Sequence, residues 1–155
     1  MNEIDDLQIG KAGEYMVCAD LIINGFIAFP SEQGLPYDVI FDFNGKLLKV
    51  QVKTTRGLRN MLQRKNPIKS YMFNIKRCGK GNRKLSNETS CDIYALVALD
   101  SKQIGYMVNK DVKQTMIFRP DLNRGTYKDE NTERKVTGTY LSDLTLQKVL
   151  CQFQK

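Results

Sequence analysis

Histidine and tryptophan are both absent from this 155-residue sequence. Without histidine, the chain lacks the base on which histidine-dependent nucleases and Ser-His-Asp or Cys-His hydrolases rely. It also lacks the side chain that most transition-metal sites require. Any chemistry must therefore use Asp, Glu, Lys, Tyr, Ser or Cys, or a hard metal ion that is held by oxygen atoms.

Cysteines are few, and long hydrophobic runs are missing. The apolar run Leu21–Phe29 is too short to cross a membrane, and we expect no signal peptide. No Cys-x-x-Cys pair exists to form a zinc site. We expect reduced, mostly buried thiols in a cytoplasmic protein, with a disulfide as the alternative. The four cysteines stand far apart in the sequence: Cys18, Cys78, Cys91 and Cys151.

Acidic residues are absent from residues 44–87, which hold 13 of the 24 lysines and arginines of the chain. Residues 1–43 carry eight carboxylates and a single basic residue, Lys11. Solvated surfaces usually mix the two signs, so the basic stretch and the net charge of +7 predict an anionic partner. Nucleic acid is the first candidate and a membrane surface the second. The alternative is a plain solubilising surface.

The spacing of apolar residues predicts one domain over residues 1–155 with an α+β (mixed α/β) fold. The helix predicted over Ile4–Asn24 ends at Gly25 and is apolar around most of its circumference, so we expect burial on several sides. A short helix is predicted at Lys110–Met116 and a longer one at Leu141–Phe153, after an irregular segment at Arg119–Gly138. Strands are predicted at Phe26–Pro30, Tyr37–Phe43, Leu47–Thr55, Tyr71–Arg77, Asp92–Leu99 and Ile104–Val108.

The segment Leu35–Thr55 predicts a β-hairpin. Two runs of alternating apolar residues flank Asn44-Gly45, a strong signal for a two-residue turn. The turn predicts which residues face each other: Phe43 and Lys46, Phe41 and Leu48, Val39 and Val50, Asp38 and Gln51. One face of this hairpin is apolar.

The other face of the hairpin brings Asp38, Gln51 and Lys53 within side-chain reach of one another. Asp42 lies on the same face but nearer the turn, where we expect it to be exposed to solvent. A simpler interpretation is that Asp38 and Lys53 form a surface ion pair, which would contribute little, and that Gln51 only faces outward.

Glu14 lies on the apolar side of the predicted first helix, opposite a polar wedge of Gly13, Asp20 and Asn24, where Asp20 is expected to be solvated. A carboxylate on an apolar face is costly unless a cation or a hydrogen-bond donor meets it. Glu14 therefore either reaches water at the edge of the buried face or points to the polar face of the hairpin.

An acid on the first helix, then Asp38, then Gln51-Val52-Lys53 on the next strand resembles the PD-(D/E)XK nuclease superfamily. The likeness is greatest to its group I intron-encoded homing endonucleases, whose motif also has Gln before x-Lys. It is carried by GKAGEYMVCADLIINGF, LPYDVIFD and VQVKTT, over about residues 8–55. The literal Pro-Asp is split here by one residue, and Gln51 replaces the usual Glu or Asp. The resemblance implies a restriction-endonuclease-like core, a central mixed sheet flanked by helices.

The resemblance also implies a metal-dependent endonuclease that hydrolyses phosphodiester bonds at a specific site in double-stranded DNA. Asp38, the Gln51 side-chain oxygen and the Val52 carbonyl would bind Mg²⁺, or Mn²⁺ as a substitute. Glu14 would bind a water on the ion, or a second ion. Lys53 would orient the attacking water or stabilise the transition state. Because Gln51 is uncharged, we expect weaker metal binding, or dependence on a DNA phosphate for the missing charge.

Two alternatives remain beside a homing-type enzyme: a Holliday-junction or repair-type nuclease on the same core, and a non-catalytic nucleic-acid-binding module. A homo-oligomer, dimer or tetramer, is expected. Asp92–Val108 and Leu141–Phe153 are either subunit interface or core. The expected DNA contacts are ten basic residues: Arg56, Arg59, Arg64, Lys65, Lys69, Lys76, Arg77, Lys80, Arg83 and Lys84.

Overall fold

Helices, a five-stranded sheet and two two-stranded sheets make up most of the described part of the chain. The computed structural model describes residues 4–60, 69–75, 90–121, 126–128, 133–135 and 139–154. The two α-helices are α1 (Asp6–Ile23) and α2 (Leu146–Leu150). The strands are β1 (Ala28–Pro30), β2 (Val39–Phe43), β3 (Lys46–Thr55), β4 (Tyr71–Asn74), β5 (Ile93–Ala98), β6 (Gln103–Val108), β7 (Thr115–Phe118), β8 (Thr126–Lys128) and β9 (Glu133–Lys135).

The main sheet is mixed and has the strand order β1-β2-β3-β5-β6. Strands β3 and β5 are parallel, whereas the other neighbours in this sheet are antiparallel. Strand β4 pairs with β7, and β8 pairs with β9. The predicted α+β class and the central mixed sheet flanked by helices are confirmed.

The predicted hairpin of β2 and β3 is confirmed in its turn and in its register. Phe43 pairs with Lys46, and the ladder continues to Val39 and Val50. Asn44 and Gly45 have φ angles of 55° and 80°, as a two-residue hairpin turn requires. The side chain of Asp42 accepts a hydrogen bond of 2.8 Å from the Gly45 N–H and so stabilises the turn.

Two apolar clusters cover the two faces of the main sheet. On one face, the inward residues of β2, β3 and β5 pack with α1 and α2. On the other face, Leu96 and Ala98 of β5 pack with β4, β7 and Leu141. All six residues of β5 are buried between these layers. The sequence left open whether Asp92–Val108 belongs to a subunit interface or to the core. Its strand β5 belongs to the core.

Helix α1 is buried on one side only, so the expectation of burial on several sides is wrong. Its N-terminus is closed by a capping box of Asp5 and Gln8, and it ends at Asn24, before Gly25 with φ of 90°. The buried residues follow one line at helical spacing: Ile9, Gly13, Val17, Cys18 and Leu21. The opposite side is apolar yet exposed, with Tyr15 at 59%, Ile22 at 54% and Ile23 at 84%.

Three predictions for the C-terminal half are wrong in detail. The helix predicted at Lys110–Met116 is a 3₁₀ turn at Asn109–Asp111 followed by β7, because that segment pairs with β4 and buries Phe118. The irregular segment Arg119–Gly138 contains β8 and β9. The helix predicted at Leu141–Phe153 is broken by Leu144, whose carbonyl accepts the Tyr106 N–H at 2.8 Å.

The cysteines match the expected thiols where they are described. Cys18 and Cys91 are buried and free, and Cys151 is exposed and free, whereas Cys78 lies outside the described residues. Among the helices that the structure describes, none combines the length and the apolar character needed to cross a membrane.

Candidate active site

Asp38 lies immediately before β2, and its carboxylate is turned toward β3. Its Oδ2 atom accepts two hydrogen bonds, from the Gln51 side-chain amide at 2.5 Å and from the Val52 backbone N–H at 2.7 Å. Both bonds use the same oxygen, so neither of them involves Oδ1. The predicted neighbourhood of Asp38 and Gln51 follows directly from the hairpin register, since Asp38 extends the ladder by one position.

The loop before β2 fixes Asp38 from the other side. The Ser31 N–H donates to the Asp38 carbonyl at 2.9 Å, and the Ser31 hydroxyl donates to the Tyr37 carbonyl at 2.5 Å. The Asp38 N–H in turn donates to the Val50 carbonyl at 2.8 Å. The backbone on both sides of the carboxylate is thus held in place. Sequence reasoning missed Ser31, because a single serine in a loop carries no distinctive pattern.

The surroundings of Asp38 disfavour its negative charge. Burial is the main cause that raises the pKa of this carboxyl above its usual value, and the nearby Glu14 carboxylate raises it as well. The Val52 N–H, the Lys53 ammonium and the Gln51 amide act in the opposite direction and do not compensate fully. A carboxylate in this situation favours an additional cation.

Glu14 and Asp38 line one cleft of about 400 Å³ between the first turns of α1 and the loop that follows β1. The Glu14 side chain is 19% exposed, and its carboxylate bonds the Lys11 ammonium at 2.6 Å. The cleft is lined by Leu7, Gln8, Lys11, Glu14, Ser31, Glu32, Gln33, Gly34, Leu35, Tyr37 and Asp38. Glu14 therefore faces the same space as Asp38, one of the two arrangements considered from the sequence.

A close contact between α1 and β3 sets the position of Glu14. Gly13 is buried, and a Cβ atom built on it would overlap the Thr54 hydroxyl oxygen. The placement of Gly13 in a polar wedge is therefore wrong: only a residue without a side chain lets the helix approach the strand here. Thr54 Oγ1 is buried and, within the described residues, has no hydrogen-bond partner.

Asp20 is also placed differently from the prediction. It accepts a hydrogen bond of 2.6 Å from the hydroxyl of Tyr106 on β6, so it is not merely solvated. Burial and the neighbouring Asp20 carboxylate raise the pKa of Tyr106, so its hydroxyl stays protonated and donates. The bond ties the last turn of α1 to the edge strand β6 of the main sheet, a contact that the sequence pattern does not reveal.

The donor set in this region is suited to a hard cation. Within the described residues, no three His, Cys, Asp or Glu side chains form a metal-binding group. The oxygen donors near Asp38 are instead of mixed type: the carboxylates of Asp38 and Glu14, the Gln51 amide and the Val52 backbone. Oxygen ligands of this kind fit Mg²⁺, which often binds through only one or two carboxylates.

The predicted DNA-contact residues are only partly described. Arg56, at the end of β3, donates to the Ile4 carbonyl and lies 3.8 Å from the Asp6 carboxylate. Arg59 and Lys69 are exposed, and Arg59 is joined to Ser70 by two backbone hydrogen bonds of 2.9 and 3.0 Å. Seven others lie outside the described residues: Arg64, Lys65, Lys76, Arg77, Lys80, Arg83 and Lys84.

Comparison with known proteins assigns the family. The sequence model of the PD-(D/E)XK endonuclease family matches residues 4–117. The fold is similar to that of the bacterial homing endonuclease I-Ssp6803I, with a TM-score of 0.60 and 16% identity over 98% of this chain and 99% of that chain. No curated protein sequence matches significantly. The match spans the helix, hairpin and cleft described above, and the chain therefore belongs to the PD-(D/E)XK endonuclease family.

Proposed function

We propose that this protein is a metal-dependent endonuclease that hydrolyses phosphodiester bonds at a specific site in double-stranded DNA. Its family supports DNA nuclease chemistry. The observation that carries the proposal is the half-buried Asp38 carboxylate, which shares a cleft with Glu14 and accepts a hydrogen bond from Gln51 in the middle of β3. Lys53, two residues further along this strand, acts electrostatically on Asp38.

Mg²⁺, or Mn²⁺ as a substitute, is the cofactor that these residues fit. Asp38, the Gln51 side-chain oxygen, the Val52 carbonyl and Glu14 would hold it. When bound, the ion would lower the pKa of water and offset the charge of the scissile phosphate. Gln51 makes the site less negative than one with three carboxylates, so we expect weak metal binding until a DNA phosphate enters.

Residues of the chain itself would orient the metal ligand and the attacking water and stabilise the developing charge. The Gln51 amide and the Val52 N–H hold Asp38 in one orientation through Oδ2, and neither bond uses its second oxygen. The Lys53 ammonium would orient the attacking water or stabilise the charge that develops on the phosphate. Glu14 would bind water near the reacting phosphate or a second ion.

A cleavage assay with a pool of random duplexes and supercoiled plasmid tests this proposal without knowledge of the target site. We expect cleavage by the wild type in Mg²⁺ or Mn²⁺ and none in EDTA. Asp38→Ala and Lys53→Ala should reduce the rate at least about 100-fold, since each removes a group of the reacting centre. Asp42→Ala is the matched control, because Asp42 lies on the same strand but bonds the hairpin turn. Wild-type rates in both site variants would overturn the proposal.

The presence of Gln51 where the motif usually has Glu or Asp favours the alternative of a non-catalytic nucleic-acid-binding module. The uncharged side chain makes the site less negative. Binding of DNA without cleavage in both metals would support that alternative. A four-way junction included among the substrates separates a junction or repair nuclease from a site-specific enzyme, because only the former would prefer it over linear duplex.

We also propose that the active form is a homo-oligomer, since two copies could place one active site on each strand of a duplex. The surface we assign is the outer side of α1, where small Ala12 and Ala19 alternate with the exposed side chains of Tyr15 and Ile22. A second copy of the same stripe could place its large residues over the small ones. The predicted cytoplasmic location rests on the free thiols alone.

Light scattering after size exclusion tests this surface. Ile22→Glu should convert a dimer or tetramer to a smaller species, because it introduces a charge into the apolar stripe. Leu47→Glu is the control, since Leu47 is equally exposed, at 56%, but lies on the hairpin. A wild-type protein that is monomeric, or a variant that assembles normally, would contradict the assignment.

A further inference from the structure

Lys11 occupies a position in the candidate active site that the sequence pattern did not assign. It is the only basic residue among the first 43 residues. It lies one turn before Glu14 on α1, at the spacing that brings two helical side chains together. Its ammonium contacts Glu14 Oε2 at 2.6 Å, and both side chains line the cleft that also contains Asp38.

The cleft gathers more negative than positive groups. Glu14, Glu32 and Asp38 contribute three carboxylates, whereas Lys11 is the basic residue of the lining. Glu14 is largely shielded from solvent, at 19% exposure, while Lys11 is 43% exposed. The ammonium therefore sits at the mouth of the cleft, with the carboxylate that it neutralises further in. This differs from an ordinary surface ion pair, in which both partners are hydrated and the pair contributes little.

A divalent cation that approaches Glu14 must compete with this ammonium. Lysine is well suited to be displaced, because its charge is carried on a long flexible stem. The ammonium also lies 5.9 Å from the centre of the Tyr15 ring, which does not line the cleft. Once released from Glu14, the ammonium remains within reach of a phosphate at the mouth of the cleft.

We propose that Lys11 is the counter-ion of Glu14 in the metal-free protein. When a divalent cation binds Glu14, the Lys11 ammonium is displaced from this carboxylate and then contacts a DNA phosphate. The inference rests on the proposed function, since it assumes that the cleft binds metal and DNA. It makes Lys11 a positioning residue with opposite effects on two ligands. Lys11 weakens metal binding to the free protein and strengthens DNA binding.

Calcium titration of the full chain without DNA tests the first effect, because Ca²⁺ reports binding separately from turnover. We expect Lys11→Met to bind Ca²⁺ about tenfold more tightly than the wild type, and Lys11→Arg to resemble the wild type. Lys46→Met is the matched control, since it removes an equal charge at the hairpin turn, about 16 Å from Asp38 along the strand. It should leave the affinity nearly unchanged.

The second effect is measured by duplex DNA binding and by the separation of KM from kcat in cleavage. Lys11→Met should weaken DNA binding and raise KM several-fold with a smaller change in kcat, and Lys11→Arg should restore both. Unchanged or weaker Ca²⁺ binding by Lys11→Met, in a protein that cleaves DNA, would overturn this inference alone. A wild type that neither binds divalent metal nor cleaves DNA would overturn both this inference and the proposed function.

Discussion

The negative charge that the proposed role of Asp38 requires lowers the stability of the metal-free fold. Burial and the Glu14 carboxylate raise the pKa of Asp38, so its ionised form destabilises the metal-free fold. The protein keeps this charge in place with the Gln51 amide and the Val52 N–H, both bonded to one carboxylate oxygen. A carboxylate whose charge is unfavourable without a nearby cation is what we expect of a metal ligand. Groups with shifted pKa values also cluster at functional sites.

The substitution Asp38→Asn should therefore stabilise the metal-free protein at pH 7 while it abolishes cleavage. An asparagine oxygen can still accept both hydrogen bonds but carries no charge. Because the pKa is raised in the folded state, the charge costs stability at neutral pH, and this cost disappears as pH falls through the folded pKa toward the usual value of 3.8. Urea unfolding between pH 7 and pH 3 measures the difference between variant and wild type.

Two results would contradict this account of Asp38. One is a variant that is less stable than the wild type at pH 7. The other is a gain in stability that stays constant as the pH is lowered. Saturating Mg²⁺ should reverse the sign of the difference at pH 7, since only the wild type retains the carboxylate ligand.

At the scale of elements, the approach of α1 to β3 determines where Glu14 lies. Gly13 sits against the Thr54 hydroxyl, and a methyl group at this position would overlap it. The hydrogen bond between Tyr106 and Asp20 ties the same helix to β6. Helix α1 is thereby fixed at two points against the main sheet, and the cleft is formed where its first turns pass the loop before β2.

The two glycines of α1 should respond oppositely to alanine. Gly13→Ala should lower the free energy of unfolding by about 1–3 kcal/mol, because overpacking displaces the helix or Thr54. Gly10→Ala should raise it by about 0.5–1 kcal/mol, because nothing lies within 4 Å of its Cβ position and alanine favours the helix. Urea unfolding of both variants measures these changes.

The double variant Gly13→Ala with Thr54→Ala provides a check on the mechanism. Removal of the Thr54 hydroxyl should recover much of the stability and of the cleavage rate that Gly13→Ala loses, since it makes room for the added methyl group. Equal stability of Gly10→Ala and Gly13→Ala would show that the close approach has no energetic consequence.

At the scale of the whole molecule, charge is divided along the chain. The cleft that contains Glu14 and Asp38 is lined by residues from the acidic first 43 residues, whereas the basic stretch of residues 44–87 begins in the hairpin strand that carries Lys53. Within that stretch, Arg56 closes onto Ile4 and Asp6 near the start of α1. Arg59 and Lys69 are exposed and are brought close together by the pairing of Arg59 with Ser70.

DNA binding should therefore weaken steeply with salt. Substitution of Arg59 and Lys69 together by glutamine should reduce the slope of log affinity against log salt by about 0.9 for each phosphate that the side chains no longer neutralise. Fluorescence anisotropy with a labelled duplex measures the slope between about 50 and about 300 mM KCl. Lys110→Gln, an exposed lysine outside the basic stretch, is the control. A salt-independent wild-type affinity would contradict a phosphate-based interface.

The sequence by itself determined the hairpin and the residues that meet on it. Asn44-Gly45 sets the turn, strict alternation sets the faces, and the register then brings Asp38 to Gln51. These signals act over a few residues, so they survive without knowledge of the rest of the chain. The absence of histidine likewise excludes histidine-dependent catalysis, whatever the fold.

Only the tertiary structure decided which side of α1 is covered and what surrounds Glu14. The helix is apolar on opposite sides, and its periodicity does not tell which of them packs on the sheet. Gly13 is buried because Thr54 lies against it, and Lys11 enters the site because the loop before β2 closes the cleft beside it. Such contacts depend on residues that are distant in sequence, so their outcome is set by packing and not by local pattern.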